Sequence, residues 1–177
     1  GIDDSEDSGN RAVNYRTEPM WFRMGYFSGA DFAVTRAIDF TNSLSNSQAG
    51  GGDPETPVLY AKPGSEVRFR ILHAGGHARN HVFQVHGHSW PREPYNCGAA
   101  PCNDSSAVGS TYLGDNPLSN EYGAQAGHGP GNHFEIQLRK GAGGAWKVEG
   151  DYLWRSQGSF QFDAGIWGIM RVTNSGP

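Results

Sequence analysis

Strict alternation of apolar and polar side chains, in short runs separated by glycine and proline, constrains this chain more than any other feature. In Glu66-Val-Arg-Phe-Arg-Ile-Leu72, the side chains of Val67, Phe69 and Ile71 point one way and those of Arg68 and Arg70 the other. That is the signature of a half-buried strand, introduced here by the turn residues Lys62-Pro-Gly-Ser65. His133-Phe-Glu-Ile-Gln-Leu138 repeats the pattern with Phe134, Ile136 and Leu138 together, and Lys140 to Gly144 reads as the turn that follows. Val82–Trp90, Asp151–Arg155 and Ile166–Val172 read as three further strands, with Met170 a core residue of the last. The 177 residues include 26 glycines and 10 prolines, well above the average share of roughly 12% for the pair. No amphipathic helix and no internal repeat is evident. Short strands with frequent turns predict an all-β sandwich.

Upstream, residues 1–10 are acidic and polar, and Tyr15 to Gly25 is an aromatic, proline-interrupted stretch that reads as an extended N-terminal arm. Residues 41–53 form a polar, glycine-rich linker. The expected division is therefore an arm and linker over 1–50 and a sandwich over 51–177. An aromatic share of 12% exceeds that of disordered chains. The net charge of −4, with no basic cluster, argues against a nucleic-acid partner. No stretch approaches the roughly 18 apolar residues of a membrane span. A start at Gly1, without methionine or an apolar leader, reads as a processed product or a piece of a longer chain.

Cys97 and Cys102 are the only cysteines, five positions apart in one polar loop. Two readings stand: a disulfide stapling that loop, or two free thiols. A disulfide implies an oxidising compartment, periplasmic or extracellular. A metal pair would want further soft ligands nearby, and no other cysteine exists.

Five of the seven histidines fall between 73 and 88: His73, His77, His81, His86 and His88. Ala74-Gly-Gly76 and Asn80 speak against a helix that would align the first three. On a continuous strand over 82–90, Gln84, His86 and His88 share one face, about 6.6–6.8 Å apart in sequence along it. Such a pair can lean onto one metal, serve two metals of a cluster, or act as hydrogen-bonded structural residues beside Gly87. His73, His77, His128 and His133 read as loop or strand-end residues with no part in a site.

His81-Val-Phe-Gln-Val-His-Gly-His-Ser-Trp90 resembles the histidine-rich strand of the multicopper oxidases, proteins of the cupredoxin fold. The segments Asp53–Leu72, Gly129–Ile136, Gly150–Ser156 and Gly165–Val172 are similar, in order, to the strands around it, and Tyr15-Arg-Thr-Glu-Pro19 resembles an arm of the large bacterial members, some associated with manganese oxidation. The resemblance implies a cupredoxin-like Greek-key β-sandwich with an extended N-terminal arm. Carried over by position, His81 matches a type 1 copper histidine and His86 a ligand of the trinuclear cluster, while His88 matches a histidine that is usually not a ligand. Gln84 stands where the family has another cluster ligand. Arg155-Ser156-Gln157 stands where an active domain has His-Cys-His, and Gln161 replaces the second type 1 histidine.

The resemblance thus implies a segment or subunit of a multicopper oxidase, a copper-dependent oxidoreductase that reduces oxygen, with no type 1 site of its own. The catalytic coppers would lie in partner cupredoxin domains or subunits, and His81, His86 and His88 are the residues here able to keep a metal. The alternative is a non-enzymatic cupredoxin-like module for structure or protein contact, docking through the arm.

Overall fold

A computed structural model describes residues 18–23, 44, 52–73, 81–91, 121–125, 127–158, 161–162 and 165–175. Eight strands run through them: β1 (Leu59–Ala61), β2 (Arg68–Leu72), β3 (Phe83–Val85), β4 (Trp90–Pro91), β5 (Glu121–Tyr122), β6 (His133–Gln137), β7 (Gly150–Ser156) and β8 (Trp167–Val172). One helical turn, α1 (Met20–Arg23), precedes them. The first sheet has the order β1-β8-β7-β3; β2 pairs with β6, and β4 with β5. β1 lies parallel to β8, whereas β3–β7, β7–β8 and β2–β6 are antiparallel. The chain crosses between sheets from β1 to β2, back to β3, and again from β6 to β7, so partners are mostly distant in sequence, as in Greek-key sandwiches. The fold is all-β, as the alternation predicts.

The expected alternation is realised. In β2, Phe69 and Ile71 are half-buried while Arg68 and Arg70 face solvent. Facing them from β6 and its continuation are Ile136 and Leu138, and from the first sheet Phe83, Val85, Met170 and Val172, together one core. Ser65 N–H donates to the Lys62 carbonyl at 2.9 Å, closing the predicted turn before β2.

β8 is buried on both faces. Met170 and Val172 enter the sandwich core, while Trp167 and Ile169 pack on the opposite side with Met20, Val58 and Leu153. Gly168 is required there by close approach: a Cβ would come within 2.3 Å of the Trp154 ring. The outer face of β8 is covered by the segment 18–23, where a buried ion pair joins Arg23 Nη1 to Glu18 Oε1 at 3.2 Å. Glu18 Oε2 accepts the Glu55 N–H at 2.6 Å, Arg23 Nη2 donates to the Gly52 carbonyl at 2.7 Å, and Trp167 Nε1 donates to the Glu18 carbonyl at 2.8 Å.

Three expectations need correction. Residues 20–23 form a helical turn rather than extended chain. Residues 91–132, whose many Pro, Gly, Asn and Ser read in the sequence as one long loop, are not all loop, since Glu121–Tyr122 pairs with Trp90–Pro91. Val82–Trp90 is not one strand. It breaks after Val85 because Gly87 adopts φ +72°, a left-handed conformation open to glycine, and the His88 N–H folds back to the Val85 carbonyl at 3.2 Å. The turn reverses the expected facing, leaving His86 exposed and His88 buried. The Cys97–Cys102 loop, His77, Tyr15 and the side chains of Trp21 and Phe22 lie outside the described residues.

Candidate functional site

His81 enters β3 from a bridge with His128: each donates its N–H to the other's carbonyl, at 2.8 and 2.9 Å. His73 follows β2, where its N–H donates to the Asn132 carbonyl at 3.0 Å and its carbonyl accepts from Gly131 N–H at 2.9 Å. Because β2 and β6 pair as far as Leu72 and His133, the segment 128–132 is held against His73 through residues 131 and 132 and against His81 through His128. Three imidazoles consequently gather. Ring centroids are 4.6 Å apart for His73 and His81, 5.9 Å for His81 and His128, and 6.0 Å for His73 and His128. Phe134 closes one side, its ring centroid 4.8 Å from that of His128.

On the other side of His81 lies the end of β7. Ser156 is 2% exposed and its Oγ is 3.5 Å from His81 Nδ1. The same hydroxyl donates to Gln161 Oε1. Gln161 is positioned by its own carbonyl, which accepts the Ile166 N–H at 3.0 Å. Residues 81, 156 and 161 therefore meet as a hydrogen-bonded group of one imidazole and two oxygen-bearing side chains.

Burial first, and then the neighbouring His73 and His128, push the His81 imidazole down to about 4. The unfolded ring protonates near 6.5, so between those values the unfolded state binds more protons and stability rises with pH. This contribution is complete above about 6.5 and is lost as pH falls toward 4. With chelator present, urea unfolding should show about 2 kcal/mol of acid destabilisation across that window, a figure reduced for partial solvent exposure. The slope should flatten in His81→Gln. An unchanged slope would mean that His81 does not titrate with folding.

The other two sequence-predicted histidines sit apart from this cluster. His86 is exposed in the turn; partial desolvation and then the charge of Arg155 hold its imidazole below the ordinary value. His88 is buried, with Nδ1 3.0 Å from the His86 carbonyl and Nε2 accepting the Gly143 N–H at 3.0 Å. The carbonyl can only accept, so Nδ1 carries the proton and both ring nitrogens are engaged. Arg155 donates to the Ser156 and Gln157 carbonyls and lies over Phe162, 4.3 Å from its ring centroid. Among the described residues, no three or more His, Cys, Asp or Glu side chains are arranged to hold a metal ion as they stand. Sequence reasoning missed the gathering of His73 and His128 with His81. The signal available was that both histidines border segments flanking the β2–β6 pair.

No protein-family model and no curated protein matches the chain. Among solved structures it is similar to a Cu-containing nitrite reductase from Thermus scotoductus SA-01, with 20% identity, a TM-score of 0.41, and 67% of this chain and 23% of that one covered. It is similar to the multicopper oxidase mgLAC, with 14% identity, a TM-score of 0.40, and coverage of 68% and 32%. It is also similar to auracyanin from Roseiflexus castenholzii, with 17% identity, a TM-score of 0.36, and coverage of 65% and 82%. The chain spans about a quarter to a third of the length of the first two. Among the described residues, no helix is long and apolar enough to cross a membrane.

Proposed function

We propose that this chain is a cupredoxin segment or subunit of a multicopper oxidase, of the large bacterial type, that has lost its own type 1 copper site and works beside copper-bearing cupredoxin domains outside the cytoplasm. The observation that carries the reading is the meeting of His81, Ser156 and Gln161. The resemblance assigns these three positions, far apart in sequence, to the ligands of a single copper.

The donor set does not fit that copper. A blue site takes a thiolate and two imidazoles, and here one imidazole meets a hydroxyl and an amide. The hydroxyl and amide satisfy each other, leaving a polar cluster in place of a metal. The cation of Arg155, felt at His86, opposes a second cation nearby. Of the histidines suggested as ligands, His86 keeps an exposed ring that can face a neighbouring domain, and His88 is committed to Gly143. This chain's contribution is then packing and the positioning of neighbours, with oxygen reduction carried by partner chains or domains.

Absorption and copper analysis test the reading. The native chain and Ser156→Cys should both lack an intense blue thiolate-to-copper band, since Gln161 supplies no imidazole. The double variant Ser156→Cys/Gln161→His should gain one. A blue band from the native chain, or its absence from the double variant after copper uptake, would defeat the reading.

A further inference from the structure

We infer that His73, His81 and His128 form a binding site for one divalent ion of the borderline class, Zn²⁺ being the probe, which shares His81 with the group of Ser156 and Gln161 but does not rest on the proposal above. Three observations converge. First, the ring spacing is right. At the ordinary Zn–N length of about 2.0–2.1 Å, three imidazoles around one tetrahedral ion have their centroids roughly 5 Å apart. The observed separations of 4.6, 5.9 and 6.0 Å bracket that value, so the backbone already sets the rings at the needed distance.

Second, the frame is fixed from both sides. Reciprocal backbone bonds tie residue 81 to residue 128, and further bonds tie residue 73 to the turn after 128. Ordering these groups is largely complete before an ion arrives, which lowers the cost of binding. Third, the Nδ1 of His73 is buried with no hydrogen-bond partner. A buried polar atom without a partner costs about 1–3 kcal/mol, and an ion is one of the few things that accounts for it.

The side chains as they stand do not yet hold an ion. Binding therefore requires the rings to turn about the last side-chain torsion, a soft, broad coordinate for histidine. His73 can turn without breaking a hydrogen bond of its Nδ1. Three imidazoles leave the fourth tetrahedral position to water, so the site would be open in the sense of zinc centres with an exchangeable ligand.

The test is calorimetric titration of the full 177-residue chain with Zn²⁺ at neutral pH, with imidazole nitrogen shifts followed by NMR. One equivalent should bind, moving the ring nitrogens of His73, His81 and His128. His73→Ala should weaken binding by more than about tenfold, the lower end of the loss on removing even a residue that only supports a ligand. His73→Phe keeps a flat ring and should weaken it equally, guarding against a folding defect in the alanine variant. His86→Ala should leave binding unchanged. Absence of binding, or binding that survives both His73 variants, overturns the inference, as does binding abolished by His86→Ala alone.

Discussion

Glu18→Ala is expected to cost about 3–5 kcal/mol of stability, the range for removing one partner of a buried ion pair. The two side chains of this pair are 1% and 6% exposed. Losing the carboxylate leaves the Arg23 guanidinium in a low-dielectric setting with the Gly52 carbonyl still in reach, and deprives the Glu55 N–H of its acceptor. Against a typical total of about 5–15 kcal/mol, that is a large fraction. Urea unfolding of the two chains side by side measures it. A change under about 1 kcal/mol would mean that segment 18–23 is not docked on β8 in solution.

Trp167→Ala is expected to cost a similar amount, about 3–5 kcal/mol, for a different reason. The ring is fully buried and lies between Met20, Ile169 and Phe162. Its removal opens a cavity that Gly168 on one side and the ion pair on the other cannot collapse into. It also frees the Glu18 carbonyl from the indole N–H. Because Arg23 of the ion pair lies over the Trp167 ring, 5.6 Å from its centroid, the two effects should be less than additive in a double-mutant cycle. Full additivity would place them in separate cooperative units.

The sandwich was legible in the sequence because β2, β6 and β8 carry their burial pattern in the order of their residues. Val67, Phe69 and Ile71 against Arg68 and Arg70 allow one facing only. The meeting of residues 81, 156 and 161 was legible through the resemblance, which ordered segments that local pattern leaves unconnected. The turn at Gly87 was not legible, since a glycine within an alternating run is equally compatible with a strand. Its left-handed φ, with the Tyr152 ring close enough to crowd a Cβ there, turned His88 inward to pin Gly143. His73 and His128 were passed over for a related reason: their proximity follows from β2–β6 pairing and a bridge between positions 47 apart, a long-range event that neither residue announces locally. The covering of Trp167 by segment 18–23 is equally non-local, and the outward face of β8 gave no sign of which part of the chain would shield it.

The parallel pairing of Leu59–Ala61 with Met170–Val172 also bears on how the domain would respond to tension. Force drawing residue 59 backward and residue 172 forward acts along two adjacent strands that run the same way. Their cross-links are then sheared together, and none can be peeled open ahead of the rest. A unit strung between neighbours through these two points would yield late and all at once, a mechanical latch at its junction with whatever it is tethered to.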